Sequence, residues 1–288
     1  MGPVDKVING MLLEKIDDLE QILESDIFFY YGPLDDGMVR AFISMLESLA
    51  ERGGKREGLS IVLTTAGGSA FAVERMVNII RHYYDKVDFF IPEYAYSAGT
   101  IFCMSGDNIY MSYGSVLGPI DPQVKNKDNK WVPALNYLDK INELLTKARD
   151  GTISQAEFLI LREFDLAEIR QYEQARDLTI ELLKNWLVKY KFRTWKTRKS
   201  NGNTVTDAHK KRRAEKIAKQ LGDSNLWLSH ARPIGLDQLR NLELVIEDYG
   251  ENKPLKKALD EYYQLLSDYI VKNGATICMQ TRTGGVIQ

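Results

Sequence analysis

The chain has 288 residues, 44% of them hydrophobic and 27% charged, which is an ordinary composition for a globular protein with a sizeable core. Its formal net charge of −2 excludes bulk attraction to nucleic acid or anionic membranes, although not a local basic patch. Two cysteines and three histidines are too few for a disulfide framework, a cysteine-based zinc site or a histidine-rich metal cluster.

The hydropathy pattern argues against a membrane protein. No apolar run approaches the roughly 18–20 residues that a membrane-spanning helix needs. The first residues also lack the basic and then apolar pattern of a secretory signal. The sequence therefore predicts a cytoplasmic protein without a membrane span.

The first half of the chain predicts alternating helices and strands. In chain order these are a helix over 5–24, a strand over 26–31, a helix over 34–52, a strand over 59–65, a helix over 70–84, a strand over 87–92, a helix over 98–105 and strands over 108–111 and 115–117. The strands are nearly continuous apolar runs, which is typical of a parallel sheet covered by helices on both faces. We therefore predict an α/β fold.

The second half predicts a different organisation, rich in helices. The predicted helices cover 134–149, 152–190, 207–221 and 255–272. A basic segment over 189–207 predicts an exposed loop, and the tail over 281–288 is predicted to be frayed. The predicted organisation is an N-terminal helix over 1–25, a core over 26–133 and a mostly helical extension over 134–288.

Two turns at strand ends carry the main clue to function. Ser97 lies among small residues where the strand over 87–92 should give way to a helix, and Gly67 and Gly68 follow the strand over 59–65. Such turns lie together beyond the carboxyl ends of parallel strands. A serine and a pair of exposed backbone N–H groups are what acyl transfer needs, namely a nucleophile and an oxyanion hole.

Three motifs in order resemble a known family. They are TAGG at 65–68, AYSAGT at 95–100 and SVLGPIDPQ at 115–123, and the segment WLSHARPI at 227–234 adds to them. Together they resemble the SDH_sah group (serine dehydrogenase proteinases) of the ClpP/crotonase-fold serine peptidases, which is related to signal peptide peptidase A. The third motif is the most specific.

The resemblance implies a fold of stacked ββα units, here with a helical C-terminal extension, that commonly assembles into trimers or hexamers. It implies a nucleophile at Ser97 and an oxyanion hole formed by the N–H groups of Gly68 and Ala98. Gly67 and Ser69 are then the predicted substrate-binding residues, and the substrate is a protein or peptide. No metal or organic cofactor is implied.

The base that activates Ser97 is not marked by the family pattern. Clp-type peptidases place a histidine in the segment that matches 118–123, where this chain has Asp121 and no histidine. Signal peptide peptidase A uses a lysine further along, which would fall near Lys140 or Lys147, and we keep Lys147 as the alternative base.

We predict His230 as the base, because Pro233 forces a turn there and a neutral imidazole suits proton transfer near neutral pH. A carboxylate should orient the imidazole, and the candidates are Asp121, Asp165 and Asp237. Asp121 is preferred because it lies in the motif beside the predicted site.

Two other functions stay open at this point. A crotonase-like acyl-CoA enzyme would use the same oxyanion hole with carboxylate bases, for which Glu93 and Asp121 are available, but it would leave Ser97 without a role. A catalytically degenerate scaffold could bind a partner or nucleic acid through the basic run 210–213 and the loop before it. A solvated charged face is the commoner outcome for such a run, so nucleic-acid binding is not the expected function.

Overall fold

The computed structural model describes residues 2–125, 131–198 and 202–288. Eleven strands lie within these ranges: β1 Ser25–Tyr31, β2 Gly58–Thr64, β3 Lys86–Ile91, β4 Tyr94–Ala95, β5 Asn108–Met111, β6 Val116–Leu117, β7 Gln123–Lys125, β8 Trp131–Pro133, β9 Glu247–Asp248, β10 Cys278–Thr281 and β11 Gly284–Ile287. The α-helices of the same ranges are α1 Pro3–Leu23, α2 Asp36–Ala50, α3 Ala70–Tyr83, α4 Ala98–Cys103, α5 Ala134–Arg149, α6 Gln155–Arg162, α7 Leu166–Trp186, α8 Asp207–Leu221, α9 Ser224–Trp227, α10 Leu236–Asn241 and α11 Lys253–Asn273.

A seven-stranded sheet forms the centre of the protein, in the order β11-β10-β1-β2-β3-β5-β9. The five strands from β1 to β9 are parallel, whereas β10 and β11 run antiparallel at the edge beside β1. Two short sheets complete the fold, β4 with β6 and β7 with β8. The predicted α/β class is confirmed.

Alternate residues of the central strands face two separate cores. On one face Phe28, Ile61 and Phe89 belong to the core that includes buried residues of α2, α3 and α4. On the other face Phe29, Val62 and Phe90 pack with α1 and α11. Both faces are covered, which is why these strands are continuous apolar runs in the sequence.

Helices α7 and α8 of the second half pack onto the first core, whereas α11 packs onto the second. Buried side chains of α7 and α8, among them Leu183 and Ile217, join the cluster that covers one face of the sheet. The strands β9, β10 and β11 of the central sheet also come from this part of the chain. The three-part division of the chain stays a prediction.

Three local predictions were wrong. The helix predicted over 152–190 is divided into α6 and α7, because Asp165 caps α7 by accepting a hydrogen bond from the Ala167 N–H at 2.7 Å. The loop predicted to be exposed over 189–207 was wrong only at its start, where Leu187–Lys191 is a π-helical turn and Tyr190 and Phe192 are buried. Most of the described residues from 193 to 207 are exposed as predicted, and residues 199–201 lie outside the described ranges.

The third wrong prediction concerns the tail. It is not frayed, because β10 pairs with the free edge of β1 and β11 continues the sheet. All four residues of β10 are buried. Within the described ranges, no helix is both long and apolar enough to cross a membrane.

Candidate active site

Ser97 lies on a tight turn between β4 and α4. Its backbone has φ 52° and ψ −117°, a conformation that is costly for a residue with a side chain. The helix that follows is completely buried, so its packing holds the turn in place. Strained turns of this kind persist where the surrounding structure fixes them, and they cluster at active sites.

The glycine turn lies directly against the serine turn. Gly67 has φ 108°, and a Cβ there would be 2.9 Å from both Ser97 Cβ and Tyr96 O. Gly68 has φ 153°, and a Cβ there would be 2.2 Å from Leu34 O. Only glycine fits both positions, because a side chain would meet neighbouring atoms as well as adopting an unfavourable φ.

Two backbone N–H groups remain available beside Ser97. Leu34 N–H donates to Gly67 O and Ser69 N–H donates to Leu34 O, so the N–H of Gly68 points away from Leu34. The N–H of Ala98 opens α4 and has no acceptor within that helix. Neither N–H finds an acceptor in the part of the chain that the structure describes. Both N–H groups are therefore free to donate to a ligand.

The other two predicted substrate-binding residues have their own internal bonds. The N–H of Gly67 donates to Thr65 Oγ1 at 3.0 Å. Ser69 caps α3, with its Oγ accepting from the Ala72 N–H. If Gly67 and Ser69 bind substrate as predicted, they do so by lining the site, because the Gly67 and Ser69 N–H groups already have acceptors within the protein.

His230 meets Asp121 at the same site. Its Nδ1 lies 2.8 Å from Asp121 Oδ1. Asp121 is 1% exposed and also accepts from Gln123 Nε2 at 3.1 Å, whereas the His230 side chain is 25% exposed. Since the carboxylate accepts, Nδ1 carries the hydrogen and Nε2 is left as the basic nitrogen.

Backbone pairing explains how a residue so distant in sequence reaches this site. Leu117 and Ile234 form an antiparallel bridge, with N–H···O distances of 3.0 and 2.9 Å. The bridge holds the turn that carries His230 alongside the motif that carries Asp121. Thr100 Oγ1 in turn lies 2.8 Å from Ala95 O and 2.9 Å from Gly118 O, which joins α4 to the same motif.

One cleft of about 1080 Å³ contains Ser97, Gly68, Ala98 and His230 in its lining. Ser97 Oγ makes no hydrogen bond to any of the described residues, His230 included. Catalytic hydrogen bonds are often long in a ligand-free site and shorten when substrate binds.

Helix α7 forms one wall of the cleft, which the sequence interpretation missed. It contributes Gln171, Gln174, Ala175, Leu178 and Thr179. These residues are spaced as one face of a helix, so the signal was present in the sequence. Their assignment to a covering helix was not possible without the tertiary structure.

The other sequence candidates lie away from this cleft. Lys147 on α5 contacts Glu157 at 2.6 Å and Glu143 at 3.1 Å, and these bonds raise its pKa, which is the wrong direction for a base. Asp165 caps α7, and Asp237 lies in the first turn of α10. Glu93, a candidate base for acyl-CoA chemistry, accepts a hydrogen bond from Tyr263 at 2.7 Å.

Neither cysteine is a good candidate for a nucleophile. Cys103 and Cys278 are both buried and free. Burial raises the pKa of each thiol, to about 12 for Cys278, so the reactive thiolate is scarce at neutral pH.

A family model described as "ClpP-like SDH-type serine proteinase" matches residues 50–209, which is more than half of the chain. The match contains Ser97, both glycines and Asp121, and it ends before His230. The chain belongs to the ClpP-like SDH-type serine proteinase family. The predicted family and its fold of stacked ββα units are therefore confirmed.

Two curated relatives of this SDH-type chain come from Methanocaldococcus jannaschii. The uncharacterized protein MJ1495 is 27% identical over 217 residues, and the uncharacterized protein MJ0137 is 24% identical over 216 residues. Each alignment covers 75% of this chain and 59% of the relative, so the chain spans well under two thirds of these longer proteins.

Solved structures similar to this SDH-type chain include a protease and a ClpP1 protein. A mutant of the 1510-N membrane-bound stomatin-specific protease is 13% identical, with a TM-score of 0.46, over 78% of this chain and 79% of its own. ClpP1 from Listeria monocytogenes is 12% identical, with a TM-score of 0.42, over 80% of this chain and 94% of its own.

Proposed function

We propose that the protein is a serine peptidase that cleaves peptide bonds through an acyl-enzyme on Ser97. The observation that carries this proposal is the 2.8 Å contact between the buried Asp121 and His230, which lines the same cleft as Ser97. A base oriented by a carboxylate beside a serine on a strained turn is the arrangement that activates a hydroxyl.

In the first step His230 Nε2 takes the hydroxyl proton while Ser97 Oγ attacks the peptide carbonyl carbon. Asp121 keeps the hydrogen on Nδ1 and stabilises the imidazolium that forms. The N–H groups of Gly68 and Ala98 donate hydrogen bonds to the carbonyl oxygen and stabilise the negative charge that forms on it. One such donor is worth about 3–4 kcal/mol of transition-state stabilisation in comparable sites.

The imidazolium then gives its proton to the leaving amine, and the peptide C–N bond breaks to leave the acyl-enzyme. Water attacks the ester carbonyl in the second step, with His230 Nε2 again taking a proton. The imidazolium returns that proton to Ser97 Oγ as the ester C–O bond breaks, and the product acid leaves. All the groups needed for this sequence line the cleft or support its base, so no metal or organic cofactor is required in the proposed mechanism.

The proposed substrate is a protein or peptide segment that lies along the cleft. The opening is lined by apolar side chains such as Phe71, Ile101 and Leu178, together with the glycine turn. Such a lining suits an unfolded segment that presents apolar side chains.

The proposal also includes assembly into trimers or hexamers, which the family resemblance implies. Helix α6 has no buried residue and exposes Phe158, Leu159 and Ile160 by more than half. Exposed apolar clusters commonly mark contacts between proteins. Light scattering coupled to size-exclusion chromatography measures the molar mass in solution. A monomer at all concentrations would refute the proposed trimer or hexamer.

Hydrolysis of an unfolded, fluorescently labelled protein tests the proposed activity. We expect the wild-type protein to release fluorescence as it cleaves the substrate. The rate of release should be at least about 10³-fold lower for Ser97→Ala. Ser48→Ala is the matched control, because Ser48 is exposed on α2 and does not line the cleft. Equal rates for Ser97→Ala and Ser48→Ala would refute the serine mechanism.

A further inference from the structure

A second cleft lies on a different part of the molecule. It has a volume of about 880 Å³ and lies between the segment after α7, helix α8 and residues 243–247. None of its lining residues lines the cleft of Ser97. The volume falls in the usual range of about 300–1000 Å³ for small-molecule sites.

The lining of this second cleft is rich in cations. Its basic side chains are Lys191, Arg198, His209, Arg212, Arg213 and Lys216. Its acidic side chains are Asp107, Glu243 and Glu247.

Two of the acidic side chains are already neutralised. Asp107 pairs with Arg81 at 3.0 Å and with Arg193 at 2.7 Å. Glu243 contacts Arg213 and lies 3.4 Å from Lys216. Glu247 has no ion pair within the described ranges and is the remaining negative charge.

Three cations of the cleft remain unpaired. Among the residues that the structure describes, the side chains of Lys191, Arg198 and Arg212 form no ion pair or hydrogen bond. Burial, and then the charges of Arg198 and Arg212, lower the pKa of His209, so these groups act on one another as like charges. An anion that entered the cleft would relieve this repulsion.

An unusual backbone element brings Lys191 into the cleft. Lys191 is the last residue of the π-helical turn Leu187–Lys191. The Phe192 N–H closes this turn by donating to Leu187 O at 2.8 Å. Single π-helical turns are rare and occur frequently at functional sites. The turn therefore supports a binding role for this end of α7.

Two aromatic rings line the same cleft as the cations. Phe192 and Trp195 have centroids 5.5 Å apart, and both line the cleft. Trp195 Nε1 donates to Thr197 O at 3.0 Å, which fixes the orientation of the indole. A fixed aromatic ring beside arginines can stack on a planar ring of a ligand.

We infer that this basic cleft binds a nucleoside phosphate, with Arg198, Arg212 and Lys191 on the phosphates and Trp195 stacked on the base. The planar guanidinium matches phosphate oxygens with two parallel hydrogen bonds. Glu247 can accept a hydrogen bond from a hydroxyl or amino group of the nucleoside. A cleft of about 880 Å³ has room for one nucleoside phosphate, whereas nucleic acid binds along an extended basic surface.

Calorimetric titration of the full chain with ATP at low ionic strength tests the inference. We expect Arg212→Ala and Arg198→Ala each to raise the Kd at least about tenfold, because each loses a charge-assisted hydrogen bond. Neither side chain has an internal partner among the described residues, so the variants keep the contacts of the fold. Ser97→Ala is expected to bind ATP like the wild type, which separates this inference from the proposed peptidase activity.

Lys211→Ala is the matched control, because Lys211 is an exposed neighbour on α8 that does not line the cleft. We expect its Kd to stay within about twofold of wild type. No ATP binding at millimolar concentration would overturn the inference. So would tighter binding of a single-stranded oligonucleotide that Lys211→Ala weakens as much as Arg212→Ala does, since that result indicates an extended surface.

Tripolyphosphate and the variant Trp195→Leu test the role of the aromatic ring. Stacking on one base is worth about 1–3 kcal/mol, so ATP is expected to bind at least about fivefold more tightly than tripolyphosphate. Trp195→Leu is expected to remove that difference. Equal affinities of the wild type for both ligands would overturn the nucleoside part of the inference.

Discussion

His230 Nδ1 lies 2.8 Å from Oδ1 of Asp121, a carboxylate that is 1% exposed. The two residues are 109 positions apart, and the bridge between Leu117 and Ile234 brings their segments together. A buried carboxylate with a histidine as its partner fixes the ring and leaves Nε2 available in the cleft. The proposed mechanism depends on this pair more than on any other contact.

Asp121→Asn is expected to reduce kcat by about 10²–10⁴-fold, because an amide no longer holds the hydrogen on Nδ1 and cannot stabilise the imidazolium. The measurement is the steady-state rate of peptide hydrolysis, with the melting temperature recorded to show that the variant folds. Asp237→Asn is the control, because Asp237 lies on α10 outside the cleft. Equal rates for the two variants would exclude a role for Asp121 in orienting the base.

The sequence predicted the part of this site that local conformation determines. Gly67, Gly68 and Ser97 lie at turns after apolar strands, and such turns leave a mark in the sequence. The preference for Asp121 came from its position in a motif, and the structure places it in contact with His230.

The wall formed by α7 could not be predicted, because helical spacing does not say which surface a helix covers. The prediction that the tail over 281–288 is frayed was wrong for a similar reason. Its short strands are stabilised by the free edge of β1, a partner more than 240 residues away in sequence. The π-helical turn that ends at Lys191 also has no signature in the local sequence.

Gly68→Ala is expected to destabilise the protein by at least about 2 kcal/mol, because a methyl group would collide with Leu34 O at a strained φ of 153°. Gly54→Ala is the control, since Gly54 has φ 79° but no atom within 4 Å of a new Cβ. Urea denaturation measures both free energies of unfolding. A loss for Gly68→Ala no greater than that for Gly54→Ala would show that the turn relaxes easily.

Arg52→Met is expected to cost about 3–5 kcal/mol of the free energy of unfolding, because it leaves the buried Asp26 without its cation and leaves the buried Glu20 with Arg282 alone. Arg52 Nη2 lies 3.0 Å from Glu20 and 2.6 Å from Asp26, and both carboxylates are fully buried. Lys15→Met breaks the surface pair with Glu261 and should cost no more than about 1 kcal/mol. Similar losses for the two variants, measured by denaturation, would refute the assignment of a buried charge network.

The affinity for ATP is expected to fall as the pH rises through about 8. Burial lowers the pKa of Lys191 to about 8 against the opposing charges of Glu247 on β9, Asp88 on β3 and Asp107 before β5. Below that pH the ammonium is charged and attracts phosphate; above it the charge is lost. Phosphate is already fully ionised there, since its second pKa is about 6.

Lys191→Arg should keep the Kd nearly constant between pH 7 and about pH 9, because the guanidinium stays charged. Lys191→Met should bind ATP weakly at both pH values. Calorimetry at the two pH values measures this. A wild-type affinity that does not change with pH would exclude Lys191 from the phosphate contacts.

Labelling with a fluorophosphonate, followed by mass mapping of the modified peptide, tests the reactivity of Ser97 most directly. We expect a single adduct on Ser97 in the wild type, none in Ser97→Ala, and at least about 10²-fold slower labelling in His230→Gln, because the base is lost. Lys147→Met and His82→Gln, both away from the cleft, should label at the wild-type rate. Labelling of Ser97→Ala at the wild-type rate, or an unchanged rate in His230→Gln, would contradict activation of Ser97 by His230.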